Sequence, residues 1–349
     1  MCVIAGYLGK EAAAPILLEM LRREEGLAGG FSTGIVTLHE GVLHHAKVVG
    51  DVETLIAATP ALQLPGTVGI AHSRTPGGGG ATYAHPFIDT FQRTAYIANS
   101  GVGPYKGRVD TAGAAKDLLE RGYGFSTACG EPFGACVPLP DGRYIHPCDL
   151  RSQAISAGVD ALPDEPLRLL QAAMETHRRL PASILGVCLH TDHPDEIVAV
   201  RHTKPLELGR LGDGSYVLAS STMAFPQGVQ WHFHAPSFSG VRIHREQGVQ
   251  VVPCNDPALL PLGLPPSAAA VAEAVVGLLE RERQVWIHTL LEAVVPLWPA
   301  GGLNEKEMVV FPLIAALRAE GKVELCTERV PGVEPGLTAP RTIVHWRGR

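Results

Sequence analysis

The chain contains no run of about 18 apolar residues, so nothing in it reads as a membrane span. Its start lacks the basic n-region and long apolar stretch of a secretion signal, which makes the cytoplasm the expected compartment. No C-x-x-C pair occurs. The seven cysteines (Cys2, Cys129, Cys136, Cys148, Cys188, Cys254 and Cys326) are odd in number and scattered, which argues against a disulfide framework and a zinc knuckle. Charged residues are only 18% of the chain and the formal net charge is -6, so there is no global pull toward nucleic-acid phosphates or anionic lipid. Neither nucleic acid nor a membrane is an expected partner. Rossmann and P-loop glycine patterns are absent too: Gly77 to Gly80 lacks both the spacing and the following Lys-Ser/Thr. The fifteen histidines include His44-His45 and His232-x-His234, but these fall on strand-like stretches with no third ligand at helical spacing. No metal and no cofactor is expected.

What is present is core material. Hydrophobic residues make up 46% of 349 residues, enough for a main domain and a smaller appendage. Residues 2 to 8 read as a buried strand, and Ala12 to Arg23 as a helix with an apolar stripe. GGFSTGIVTLHEGVLHHAKVVG reads as a hairpin, GTVGIAHSRT and FQRTAYIANSG as strands, and Thr111 to Arg121 and Pro166 to Arg179 as helices. A run of strands from ASILGVCLHT to FSGVRIHREQGVQVVP follows. Strands early, helices, then strands late predict an α+β fold with an antiparallel sheet system covered by helices. Residues 1–253 form the expected main domain and residues 254–266 a proline-rich linker. Residues 267–349 are expected to be helix-rich: a helix from about Ser267 to Leu297, another opened by Asn304 with Glu307 in a capping-box arrangement, and a closing hairpin. That order is compatible with a winged-helix-like module or a plain packing unit. The plain unit is favoured, because Arg and Lys are not concentrated on one face.

Cys2 sits where removal of Met1 would make it the first residue. By frequency an ordinary buried cysteine is the simpler reading. A liberated α-amine, of reference pKa roughly 7.7 to 8, could however take the thiol proton directly. A thiolate attacking an amide also needs oxyanion donors and a substrate anchor. Arg74 at a strand end, and Asn99 with Gly101 nearby, are candidates, although an ion-pair residue and a simple turn account for them equally well.

These segments together resemble the glutaminase domain of the class II glutamine amidotransferases, the N-terminal-nucleophile (Ntn) type, and most closely that of glucosamine-6-phosphate synthase. MCVIAGYLG is similar to the family's M-C-G-I-V-G, GIAHSRT to G-I-A-H-T-R-W, YAHPF to N-A-H-P, IANSG to V-H-N-G, and PLELGRLGDGSYVLASS to a stretch ending in A-S-D. The order holds from Met1 to about Pro253. The resemblance implies a four-layer αββα sandwich of the Ntn-hydrolase kind. It implies Cys2 as nucleophile and base, Arg74 on the glutamine α-carboxylate, and Asn99 with the Gly101 backbone as oxyanion hole. It also implies an aspartate on the α-ammonium. STACGEP, directly after RGYGF, holds none, whereas treating the loop to Tyr144 as an insertion places Asp149 there.

The chain departs from the pattern in three places. TPGGGG follows Arg74 in place of the family's Thr and His on the carboxylate, Val3 replaces a glycine, and Ser100 separates Asn99 from Gly101. Residues 267–349 are too few for sugar-isomerase domains, so a synthetase partner subunit or an unidentified acceptor is implied. Three functions follow: ammonia release from glutamine, hydrolysis of another γ-glutamyl or related amide by the same thiol, or a non-catalytic regulatory protein that keeps the fold. Oligomeric state is left open.

Overall fold

A computed structural model describes residues 2–101, 105–132, 134–256, 259–299 and 303–348. Along the chain the elements are β1 (Val3–Leu8), α1 (Ala13–Glu24), β2 (Ser32–His39), β3 (Val42–Val49), α2 (Val52–Ala58), β4 (Val68–Arg74), β5 (Phe87–Ile88), β6 (Thr94–Gly101), α3 (Thr111–Glu120), β7 (Val137–Pro138), β8 (Tyr144–Ile145), α4 (Pro147–Ala161) and α5 (Arg168–Arg179). Then come β9 (Ser183–His190), β10 (Glu196–Arg201), β11 (Glu207–Leu211), β12 (Tyr216–Ala219), β13 (Val229–His234), β14 (Ser239–His244) and β15 (Gly248–Pro253). The last part holds α6 (Ala268–Glu282), β16 (Gln284–Trp286), α7 (Ile287–Val294), α8 (Lys306–Ala319), β17 (Val323–Pro331) and β18 (Thr338–Trp346).

Two sheets face each other. One has seven strands in the order β13-β11-β12-β1-β4-β2-β3, the other six in the order β15-β14-β10-β9-β6-β5. Alternation along the strands sends Ile4, Val36, Ile70 and Leu218 of the first sheet against Ile97, Val187, Ala199 and Val241 of the second, which forms the central core. The opposite face of the first sheet is covered by α1, whose Leu17, Leu18 and Leu21 recur at helical spacing and are buried, while Arg22 and Arg23 on its outer side pair with Glu19. The outer face of the second sheet is covered by α4 and α5 through Ile155, Val159, Leu169 and Ala173. The α+β, four-layer αββα arrangement is thus the one expected.

Beyond Ser267, which caps α6 by accepting a hydrogen bond from Ala270 N at 3.2 Å, the elements run helix, strand, helix, helix, hairpin around a three-stranded sheet ordered β16-β18-β17. This is winged-helix topology. Two details differ from the sequence expectation. The single helix to Leu297 is interrupted at Arg283, whose φ of 63° ends α6 in a left-handed cap without a glycine. The capping box at Asn304 does not form: Glu305 precedes α8 and pairs with the buried Arg201 at 2.5 Å, while Glu307 pairs with Lys204 at 3.5 Å. The amino end of α8 is therefore docked on the sandwich. Its Lys306 is spent on Glu292.

The module also grips the loop after α1. Leu27 belongs to its core, Thr342 N donates to Gly26 O at 2.9 Å, and a side chain at Gly30 would collide with Pro340. Glu25 fastens the same loop to the first sheet. Its Oε1 accepts from Ser73 Oγ at 2.7 Å and Thr33 Oγ1 at 2.9 Å, and Oε2 accepts from Val52 N at 3.0 Å. Burial pushes its carboxyl up to about 7 despite these donors. Phe31 N then donates to Arg74 O at 3.0 Å, so the loop sets the end of β4.

A raised carboxyl makes the folded chain hold a proton that the unfolded chain releases. Glu25 therefore stabilises below about pH 4.5, and that contribution is lost as pH rises to about 7. In urea titrations of Glu25→Gln beside the parent, the stability difference should shift in favour of the variant across this window, by roughly 3 kcal/mol at most. A difference independent of pH would show that Glu25 is ionised throughout.

Candidate active site

The pairing of β1 with β4 sets Val3 opposite Ser73 and Ile4 opposite His72, which brings Cys2, just before β1, to the carboxyl end of β4. Its thiol is half-buried, with Thr75 Oγ1 at 3.7 Å. Burial alone would raise its pKa. The neighbouring His72, with a smaller part from Thr75, outweighs that and brings it down to about 6. Burial wins at the fully buried Cys148, which is pushed up to about 11. Removal of Met1, on which the amine of Cys2 depends, concerns a residue outside the described ones.

His72 is completely buried. Its Nε2 lies 3.0 Å from Ala98 O, and since a carbonyl can only accept, Nε2 is the donor of that bond. Nδ1 has no hydrogen-bond partner among the described residues. His72 lies against His85, ring centroids 3.8 Å apart, and His85 is held neutral by burial and by its cationic neighbours. Sequence reading quoted His72 within GIAHSRT but gave it no role. Its relation to Cys2 arises across the β1–β4 ladder.

Asn99 lies on β6, 2% exposed. Cys2 N donates to its Oδ1 at 3.4 Å, which fixes the amide so that Nδ2 is left as the free donor, buried and with no partner among the described residues. The expected backbone donor, Gly101, is displaced by the parity of the strand. Ala98 N donates to His85 Nδ1 at 3.3 Å, on the side away from β9. Alternation then directs the Ser100 N–H to that same side and the Gly101 N–H into the ladder opposite Ser183. The inserted serine thus takes the position assigned to the glycine.

Arg74 ends β4. Its Nη1 donates to Tyr83 O at 3.2 Å and to Gly78 O at 3.3 Å, and no carboxylate pairs with it among the described residues. The four-glycine stretch that replaces the family's Thr and His wraps this guanidinium in backbone: a side chain at Gly77 would lie 2.7 Å from Nη2.

Asp149, in the first turn of α4, is completely buried. Its Oδ2 accepts from Thr127 Oγ1 at 2.8 Å, Thr127 N at 2.9 Å and Ser126 Oγ at 3.4 Å, and its Oδ1 from Gln153 Nε2 at 3.0 Å. Three of these donors crowd Oδ2 and one takes Oδ1, and the whole side chain is shut off from solvent. Asp149 instead ties down the segment STACGEP that separates it from RGYGF. The N-cap of α4 is His146, stacked on Phe87 at 4.6 Å and kept neutral by burial and by Arg74.

No protein-family model matches the chain. A glutamine–fructose-6-phosphate aminotransferase (isomerizing) of Thermosynechococcus vestitus is 30% identical over 228 residues, covering 64% of this chain and 32% of the relative. Its namesake in Tropheryma whipplei is 31% identical over 236 residues, covering 66% and 33%. The chain thus spans about a third of the length of the curated relatives it matches. Among solved structures, a glutamine phosphoribosylpyrophosphate amidotransferase from B. subtilis aligns over 78% of this chain and 52% of that one, with a TM-score of 0.54 at 16% identity, a likeness of fold. With the motif order from Cys2 onward, these similarities show that the chain carries a domain of the class II, N-terminal-nucleophile glutamine amidotransferases.

Proposed function

We propose that the chain releases ammonia from the side-chain amide of glutamine at Cys2 and passes it to an acceptor bound elsewhere. The observation that carries this reading is a half-buried thiol held near pKa 6 beside an amide donor, Asn99 Nδ2, that nothing in the protein occupies. Arg74, bonded only to carbonyls, is the cation for the substrate α-carboxylate.

The Cys2 thiolate adds to the amide carbon, a C–S bond forms, and the carbonyl π pair moves onto oxygen. Asn99 Nδ2 and the Ser100 N–H stabilise that oxyanion, and one such donor is worth about 10² to 10³ in rate. The thiol proton, held on the α-amine of a processed Cys2 or on His72 Nδ1, goes to the leaving nitrogen. The C–N bond breaks and ammonia departs. Water then adds to the thioester and glutamate is released.

The relatives are named for transfer to fructose 6-phosphate. This chain has a winged-helix module after its sandwich, and the acceptor in this reading is bound by a partner subunit or another protein. A second substrate is favoured by one observation. Asp149 is completely buried with Oδ2 taken by Ser126 and Thr127, which suits an amide whose α-nitrogen is uncharged.

Intact-mass measurement before and after 6-diazo-5-oxo-norleucine should show loss of Met1 and a single adduct on Cys2. Cys2→Ala should abolish ammonia release from glutamine. Arg74→Gln should raise KM about tenfold or more. Faster turnover of N-acetylglutamine than of glutamine would select the second substrate, and no adduct with no turnover would select the non-catalytic reading. The pH dependence supplies a further check. Alkylation of Cys2 by iodoacetamide should rise through about pH 6 in the parent and shift alkaline by more than one unit in His72→Gln, since the main influence opposing burial is then gone.

A further inference from the structure

Arg151, in the second turn of α4, is 3% exposed, yet no acid faces it. Its Nη1 donates to Pro147 O at 3.3 Å and its Nη2 to Leu180 O at 2.8 Å, while Nε has no partner among the described residues. A guanidinium does not shed its proton, so burial without a counter-ion leaves a costly charge. The other two buried arginines show the usual remedy: Arg201 pairs with Glu305 and Arg242 with Glu196. Leu180 ends α5, and the negative end of that helix offsets only part of a full charge.

Pro147 and Leu180, whose carbonyls Arg151 touches, line a cavity of about 470 Å³ together with Arg151 itself. Its lining contains a second cation, Lys106, and the Thr111 hydroxyl, but neither aspartate nor glutamate. The larger cavity of about 820 Å³, lined by α3, α4 and α5, is different: there Arg121, Arg178 and Arg179 are accompanied by Asp117, Glu175 and Asp256. The smaller one therefore brings Arg151 and Lys106 together with Thr111 and no acid among its described lining residues.

We propose that this cavity binds a small anionic group, a phosphate or a carboxylate, on the guanidinium of Arg151 with Lys106 as the second cation. The planar fork of arginine suits either anion. The site is separate from the one that takes the substrate carboxylate on Arg74. It lies behind Pro147 and Cys148, and Cys148 is close enough to Cys2 to feel its charge.

The test is calorimetric titration of the full chain with inorganic phosphate and, separately, with succinate, at constant ionic strength set by chloride. The parent should show saturable binding of at least one, and which one identifies the class. Ala135→Trp, which adds bulk at an exposed lining residue and leaves Arg151 in place, should weaken binding by roughly tenfold or more, as should Arg151→Met. Arg74→Gln should bind like the parent. That comparison separates this site from the proposed glutaminase chemistry. Absence of saturable binding of either anion by the parent would overturn the proposal and leave Arg151 a tie between α4 and the end of α5. So would binding that Ala135→Trp leaves unchanged, a result that stands even if Arg151→Met fails to fold.

Discussion

The ladder between β1 and β4 is the constraint on which the site depends. It runs without a break from Val3 opposite Ser73 to Leu8 opposite Val68, in the middle of a seven-stranded sheet where both strands are buried. A slip of one residue would exchange the two faces of β1, sending Ile4 away from the central core and the thiol of Cys2 away from His72. The same ladder places Ser73 on Glu25 and leaves Arg74 as the last residue of β4, its carbonyl held by Phe31. Core packing and chemistry are thus fixed by one register.

Electrostatics then sorts the thiols. Cys148 and Cys254 are each pushed up to about 11, mainly by burial, and remain protonated at neutral pH. Cys2 feels the same penalty but has an imidazole whose tautomer is set by Ala98 O, and its pKa falls to about 6. Selectivity among the cysteines comes from one neighbour rather than from exposure.

Much of this was legible in the sequence, and the exceptions have physical causes. Cys2, Arg74 and Asn99 could be singled out because the motifs that carry them lie at or near strand ends, and the strands themselves show in hydrophobic alternation. Ser100 could not be told from Gly101, since which N–H leaves the ladder depends on the side from which β9 pairs. Asp149 looked free because nothing in the order of residues says that Ser126 and Thr127 fold back onto its oxygens. The helix from Ser267 breaks at Arg283, a residue type that gives no warning of a left-handed turn. Glu307 fits the spacing of a capping box, but Lys204, about a hundred positions away, takes its carboxylate.

The grip of β18 on the loop after α1 means that the two parts of the chain are not interchangeable cassettes. Gly26 and Gly30 touch the winged-helix module on one side, while Glu25 and Phe31, beside them, hold Ser73 and Arg74 on the other. Cutting the polypeptide at its proline-rich joint would leave a sandwich with Cys2, Arg74 and Asn99 present but with the loop that holds the end of β4 bared on its outer side. A change of shape in that distant hairpin therefore reaches β4 through a single shared loop.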